Sequence, residues 1–500
     1  MGIVIRQSIK GTVVNYFGAF IGFLTTMFIS TKCLSAEEIG LTRILVETAM
    51  LLAVFAQIGT PNSGIKFFPY FKSTQGDVRH NGFFFYMVAL PVLGILVFFT
   101  LYILLKYPIS AYFAKNSALF VEYYYYILPL AFFMIYQGVF ETYSNVLMRI
   151  VVPKFVREVL VRVLLILAIL LYYLQIINLT GFIMAYVIIY GIAALVNLFY
   201  VARIGSISLK HNFKYVDPPL RRQIGSYTLF FVFASLGSLV VSKIDVFMLS
   251  SQVGLTATGI YSIAFFMSAI IEIPARSVSA IAQPIVSDAY KNGDLLTVDR
   301  YFKRVSLNQF LIGSMLFVLL WANIHNIFAI MPNGDVYDAG IWVVFFIALS
   351  KTCNQLVSFS SILLMVSKYY RYYLVFVLGL SILTVFANNW LIPIWGMTGA
   401  AVASFAALFI HDYGMLLFVS LKLKVHPFSW NIAKVVGVSM VLLLINYFWM
   451  DLKNPILDGI CRSAVLTSIA FIIIYKFKIS DELNGMVNRM LDWGRKFLGF

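Results

Sequence analysis

Charge is what this sequence has least of. Asp, Glu, Lys and Arg make up 12% of its 500 residues, about half the share in an ordinary soluble domain. Apolar residues reach 61% and mean hydropathy is +0.90, more apolar surface than a water-soluble fold can hide. Cysteine is nearly absent: Cys33, Cys353 and Cys461 are odd in number and far apart, which excludes a disulfide framework and a cysteine metal site. No Ser/Gly/Pro-rich linker separates soluble domains. A Walker phosphate loop, a zinc HExxH and a nucleophile elbow are all missing, so ATP hydrolysis and the common hydrolase chemistries have no seat here. The apolar run 11–31 after Arg6 and Lys10 is too long for a signal-peptide core and lacks a small-residue cleavage site, so it reads as a retained first helix.

Long apolar runs are what the sequence has instead. A helix needs about 20 residues to cross a hydrocarbon core roughly 30 Å thick. On that ruler the chain divides into about fourteen spans: 11–31, 41–60, 83–105, 123–148, 155–177, 180–202, 225–249, 257–285, 305–330, 338–366, 370–391, 395–420, 430–450 and 456–475. The net charge of +16 is dealt out loop by loop rather than gathered into one nucleic-acid-binding patch. Of the 37 Lys and Arg, 26 fall in one alternating set of loops, against Lys32, Lys106, Lys115 and Lys453 in the other. Basic loops resist translocation, so both termini are expected in the cytoplasm.

The longest polar connection, 204–222, lies near the middle. Ser144–Met148 resembles Ser361–Met365 at an offset of 217, Thr180-Gly181 resembles Thr398-Gly399 at 218, and Gly40-Leu41 resembles Gly259-Ile260 at 219. Three agreeing offsets imply two parallel six-helix repeats. The expected organisation is a six-helix bundle over 1–203, a cytoplasmic loop over 204–222, a second six-helix bundle over 223–424, two further helices over 425–478, and an amphipathic cytoplasmic-surface helix over 479–500. The clusters Tyr123–Tyr126 and Tyr369–Tyr373 read as aromatic belts.

Ionisable groups inside spans cost at least about 2.5–3.5 kcal/mol each at the centre, so they mark protein interiors or wet cavities. Arg43/Glu47, Glu158/Arg162 and Glu272/Arg276 are acid and base four residues apart, able to pair along one helix face. Glu272/Arg276 is divided by Pro274, which can kink or open the helix. Lys243, Asp245 and Glu141 are further intramembrane charges. Lys351, near a span centre with no acid three or four residues away, either pairs with an acid from another helix, Glu141 being one conceivable partner, or serves a substrate anion. His411 and Asp412 read as a structural pair near the inner interface.

Leu34–Ile44 (LSAEEIGLTRI) resembles the Leu-Ser-x-x-Glu-(Tyr/Phe)-Gly-Leu signature that follows the first helix in polysaccharide flippases, with Ile39 in place of the aromatic. Lys243–Ala264 (KIDVFMLSSQVGLTATGIYSIA) resembles their Ile-Asp-x-x-x-Leu and Gly-x-Tyr-x-x-Ala motifs, followed by Pro274, Pro284 and Ser287 at similar positions. The likeness covers nearly the whole chain and points to the polysaccharide-transporter branch of the multidrug/oligosaccharidyl-lipid/polysaccharide exporter superfamily. It implies an all-α membrane protein whose two bundles rock about a central cavity, and a flippase that carries an undecaprenyl-diphosphate-linked oligosaccharide across the bacterial cytoplasmic membrane. It also implies a cationic site, onto which Arg43, Lys243 and Arg276 map, joined by Lys351 from the charge reading. Glu47, Glu141, Asp245 and Glu272 are the candidates for gating or for coupling to H+ or Na+. No cofactor, metal or nucleic acid is expected, and membrane lipid and polysaccharide polymerase machinery are candidate partners. Span one carries no charge, unlike flippases of lipid-linked peptidoglycan precursors, which disfavours that cargo. A multidrug exporter of the same superfamily, or a membrane polymerase or ligase, are the alternatives. The longest expected outer loop, 106–122, is too short for a catalytic domain.

Overall fold

In the computed structural model every described element is helical. The structure describes residues 3–71, 82–204, 207, 218–485 and 488; within helices, the side chains of 3–6, 8–9, 229–242 and 275–281 lie outside the description. The expected surface helix over 479–500 falls outside it, apart from a helical stretch at 481–485 and residue 488.

Fifteen helices carry the architecture: α1 Ile3–Leu24, α2 Ala36–Ala56, α3 Thr60–Phe71, α4 Phe83–Leu104, α5 Ile127–Val146, α6 Val161–Tyr173, α7 Leu179–Ile204, α8 Pro218–Gln252, α9 Leu255–Ser268, α10 Ile273–Lys291, α11 Leu295–Ala322, α12 Ile341–Val357, α13 Arg371–Leu423, α14 Trp430–Tyr447 and α15 Pro455–Lys476. Among the described residues, ten stretches are helical, long and apolar enough to cross a bilayer. They account for eleven of the fourteen expected spans, because α13 contains two of them. Its halves meet at Gly396, whose φ of 56° and ψ of −131° lie outside the helical region, a conformation glycine adopts without a side-chain clash. Of the other expected spans, 123–148 and 155–177 are helical but fall short of that measure, and 225–249 is helical within α8 but includes residues whose side chains lie outside the description. The second of them opens with a π-helical turn at Val156–Leu160 that carries Arg157 and Glu158.

Span two is longer than its apolar run suggested. It continues past a break at Gln57–Gly59, where Ile58 and Gly59 take φ of 46° and 64°, into α3 as far as Phe71. The Gln57 amide bonds the Ile135 carbonyl of α5 at 3.4 Å.

Contacts divide the chain into two compact units, Met1–Ser262 and Ile263–Phe500. In the first, α5 packs against α2, α3 and α7, and α8 packs against α2 and α3. Phe67, Phe68 and Phe71 of α3 share a buried cluster with Phe83 and Phe84 of α4 and Phe140 and Tyr143 of α5. Tyr124, expected in an aromatic belt, is instead fully buried and stacks on Tyr102 of α4 with ring centroids 4.2 Å apart. Its hydroxyl donates to the Tyr102 carbonyl at 2.6 Å, which is why a polar ring is tolerated there.

In the second unit α11 packs against α10, α12 and α14, and α12 packs against α13. The N-terminal end of α15 holds a charge cluster that hydropathy alone passes over. Arg462 contacts Asp458 at 2.7 Å and Asp451 at 2.5 Å and donates to the Ala322 carbonyl of α11 at 2.9 Å. Asn326 and the Trp449 indole donate to Asp458 at 2.6 and 3.0 Å. A fully buried carboxylate is tolerable only when its lone pairs are this well occupied, and the cluster ties α14 and α15 to α11.

Candidate functional site

The two motifs that carry the family resemblance meet each other in the first unit. Leu34–Ile44 starts α2: the Ser35 hydroxyl accepts from the Glu38 amide at 3.2 Å and the Glu38 carboxylate accepts from the Ser35 amide at 2.8 Å, a reciprocal capping box. One turn on, Gly40 crosses α9. A Cβ on Gly40 would lie 1.9 Å from the Leu255 carbonyl oxygen, and one on Gly259 would lie 1.9 Å from that of Ala36. Each glycine therefore faces the carbonyl four residues before the other, and both pairs carry the same offset of 219. The two approaches are reciprocal, the pattern of a two-fold contact. Beside this seam, Asn116 donates to the Ser251 and Gln252 carbonyls at 2.7 and 3.0 Å, and Ser117 to that of Ser250 at 2.5 Å. These bonds occupy carbonyls at the end of α8 that the helix itself leaves open.

Below the seam Glu47 gathers two cations. Arg43 reaches it from the preceding turn of α2 at 2.8 Å, and Lys243 reaches it from α8 at 2.7 Å. Glu47 is 2% exposed, whereas the side chains of Lys243 and Arg43 are 23% and 38% exposed. The carboxylate lies behind and the cations lie in front, with one positive charge in surplus. Asp245, next to this group in sequence, is buried and accepts from the Tyr261 hydroxyl at 2.7 Å.

In the second unit the helix that follows α9 is interrupted. Ala269–Glu272 forms a 3₁₀ turn, and α10 starts afresh with Pro274 in its first turn, so the proline acts as a helix start rather than a bend within one helix. Glu272 at this break forms an ion pair with Lys351 of α12, whose ammonium also lies 4.7 Å from the Phe265 ring centroid. The presentation is reversed here: the Lys351 side chain is 11% exposed and Glu272 33%. Of the two alternatives for Lys351, pairing with an acid from another helix is the one observed. The acid is Glu272 rather than Glu141.

Glu141 belongs to another chain of charges in the first unit. Arg157 bridges it to Glu158 at 2.7 and 3.1 Å, and Arg162 pairs with Glu158 at 2.9 Å and also donates to the Gly18 carbonyl of α1. His411 pairs with Asp412 at 2.9 Å, and Asn354 donates to Asp412 at 2.7 Å. The side chain of Arg276 lies outside the description. Among the candidates, then, Arg43, Glu47 and Lys243 are brought together in one unit, and Glu272 and Lys351 in the other. The Asp458/Arg462 pair was legible as a fourth acid and base four residues apart, but its loop and cross-helix partners were not.

A family model for polysaccharide biosynthesis proteins matches residues 4–289. No curated protein sequence matches the chain significantly. Among solved structures, the lipid II flippase MurJ in an inward closed conformation superposes with a TM-score of 0.71 at 16% identity, covering 95% of this chain and 100% of its own. An inward-facing multidrug resistance MATE family transporter of the MOP superfamily gives 0.58 at 14% identity, covering 85% of this chain and 98% of its own. A MOP superfamily transporter from Pyrococcus furiosus, described as having a binding pocket of reverse polarity, gives 0.54 at 15% identity over 84% and 95%. At such identities the likeness establishes the fold. With the family model spanning more than half of the sequence, this chain belongs to the polysaccharide biosynthesis protein family.

Proposed function

We propose that this protein is a flippase for an undecaprenyl-diphosphate-linked oligosaccharide, moving it from the cytoplasmic to the periplasmic leaflet of a bacterial inner membrane by alternating access. It is read as a transporter rather than an enzyme, with fourteen spans, two six-helix bundles and both termini in the cytoplasm. The observation that carries this reading is the partly exposed pair of cations on buried Glu47. A diphosphate is a compact dianion or more, and a site that keeps a positive surplus where its cations are accessible favours it over a cationic drug. A multidrug exporter is the second reading. It is disfavoured by that surplus, and by coverage: the MATE structure spans 85% of the chain against 95% for the flippase structure. The difference is about the length of α14 and α15.

The test is transport of a fluorescent undecaprenyl-diphosphate oligosaccharide in proteoliposomes, beside surface-glycan output in cells with membrane abundance matched. Arg276→Ala is expected to abolish both, and Arg276→Lys to leave partial activity, because lysine keeps the charge but loses the bidentate fork. If Glu272→Gln with Arg276→Gln restores wild-type output, Arg276 only balances charge and leaves the site. Absence of lipid transport by the wild-type protein, with export of cationic dyes in its place, would replace the flippase reading by the second.

A further inference from the structure

We propose that the groove between α3 and the start of α8 is a first docking site for the diphosphate headgroup of the lipid-linked saccharide, a site separate from Glu47 and its two cations. The groove holds about 930 Å³ and is lined by Lys66 and Phe67 of α3 and by Pro218, Pro219, Arg222 and Tyr227 of α8, among others. That volume is within the range of small-molecule sites. Among the described residues its lining has two basic residues and no acidic one.

What holds Lys66 matters more than its presence. Its ammonium lies 3.6 Å from the Tyr227 ring centroid, and Tyr227 is fixed edge-to-face against buried Phe67 at 5.6 Å. An aromatic face orients a cation without cancelling its charge. Lys243 and Lys351, by contrast, each rest on a carboxylate. Among the described residues neither Lys66 nor Arg222 is paired with an acid, so both charges are available to an anion. A lysine point charge beside an arginine fork suits two linked phosphates. The site falls at the end of the spans that the loop charges assign to the cytoplasm, where a substrate made in that compartment would arrive. Capture at the mouth would then precede transfer to cations that first have to release their carboxylate.

This inference rests on the flippase reading, and the experiment separates the two. Full-length protein in nanodiscs is titrated with undecaprenyl diphosphate, with inorganic pyrophosphate and phosphatidylglycerol as parallel arms, and bound lipid is read by native mass spectrometry. The wild-type protein is expected to bind undecaprenyl diphosphate, and, in a background that already carries Lys243→Gln and Arg43→Gln so that the groove alone is read, Lys66→Gln with Arg222→Gln to raise the Kd at least tenfold further. Lys66→Arg, which keeps the charge, is expected to stay within about threefold of the wild type. Both residues are exposed, so these variants are expected to keep their elution profile and membrane abundance. An unchanged Kd in the double variant overturns the docking site and leaves the flippase reading standing. A wild-type protein that binds no undecaprenyl diphosphate overturns the flippase reading itself, and the docking site with it. Equal affinity for pyrophosphate or phosphatidylglycerol would reduce the groove to a general anion site and overturn its assignment to a lipid diphosphate.

Discussion

In the first unit the acid is hidden and the bases are accessible, whereas in the second the base is hidden and the acid is accessible. Glu47 at 2% exposure stands behind Arg43 and Lys243; Lys351 at 11% stands behind Glu272 at 33%. The ingredients are the same in both places: a carboxylate on a helix interrupted nearby, a lysine from a distant helix, and an arginine four residues from the acid. Their depth also differs. Glu47 lies eleven residues into α2, and Glu272 lies seventeen residues beyond the start of α9, a difference of about 9 Å along a helix. Ion-pair chemistry alone therefore does not tell what a site presents. An accessible cation attracts a phosphate, while an accessible carboxylate beside a buried ammonium is suited to gating or to meeting a proton or Na+. Lys351, for which the sequence left a substrate contact and pairing with another helix's acid open, is paired with Glu272 as the less exposed member.

The largest expected effect tests that reversal. Lys243→Gln together with Arg43→Gln removes both accessible cations, and charge-assisted bonds are worth about 1.5–3 kcal/mol each. Affinity for undecaprenyl diphosphate should fall by about 100-fold or more, whereas Lys351→Gln should leave it within about threefold. If the Lys351 variant loses as much binding as the double one, the two units present charge alike and the comparison fails.

A smaller effect concerns stability. Glu47→Gln leaves two cations facing each other without their shared acid, and breaking a buried ion pair costs about 3–5 kcal/mol. With both cations partly exposed the low end of that range is expected, about 3 kcal/mol, read as a lower Tm of the purified protein. Glu272→Gln, where the acid is the more accessible member, should lower Tm less. Equal losses would show that burial does not set the difference.

The smallest effect sharpens the role of the first motif. Ser35→Ala removes one half of the capping box and should cost about 1 kcal/mol, with ligand affinity unchanged. A loss of affinity without a loss of stability would mean that Ser35 acts on the site and not on the helix start.

Much of the fold could be read from the residues. The offset of 219 that matched Gly40 to Gly259 recurs in the contact between them, and the pattern Leu-Ser-x-x-Glu already contained the helix cap. The i,i+4 pairs Arg43/Glu47 and Glu158/Arg162 form as their spacing implied. Other features were hidden for identifiable reasons. Tyr124 looked like a belt residue because aromatic content does not reveal that Tyr102 offers a buried ring and carbonyl. Span two appeared to end near residue 60 because Asn62, Ser63 and Lys66 dilute the hydropathy of α3. The cluster around Asp458 and Arg462 was hidden because Asp451, Asn326 and Trp449, which sustain that pair, come from a loop and a neighbouring helix.

By itself the sequence determined that the chain is an all-helical membrane fold with many apolar helices, and how far along its own helix each charge sits. Those properties are local: hydropathy, basic residues near span ends and the cost of charge in hydrocarbon all accumulate along the chain. Only the tertiary structure decided which acid meets which base and which of the two stays in reach. Glu47 and Lys243 are 196 residues apart and Glu272 and Lys351 are 79 apart. No periodicity encodes pairing over such separations, because helix packing alone sets which charged groups face each other and how much of each is covered.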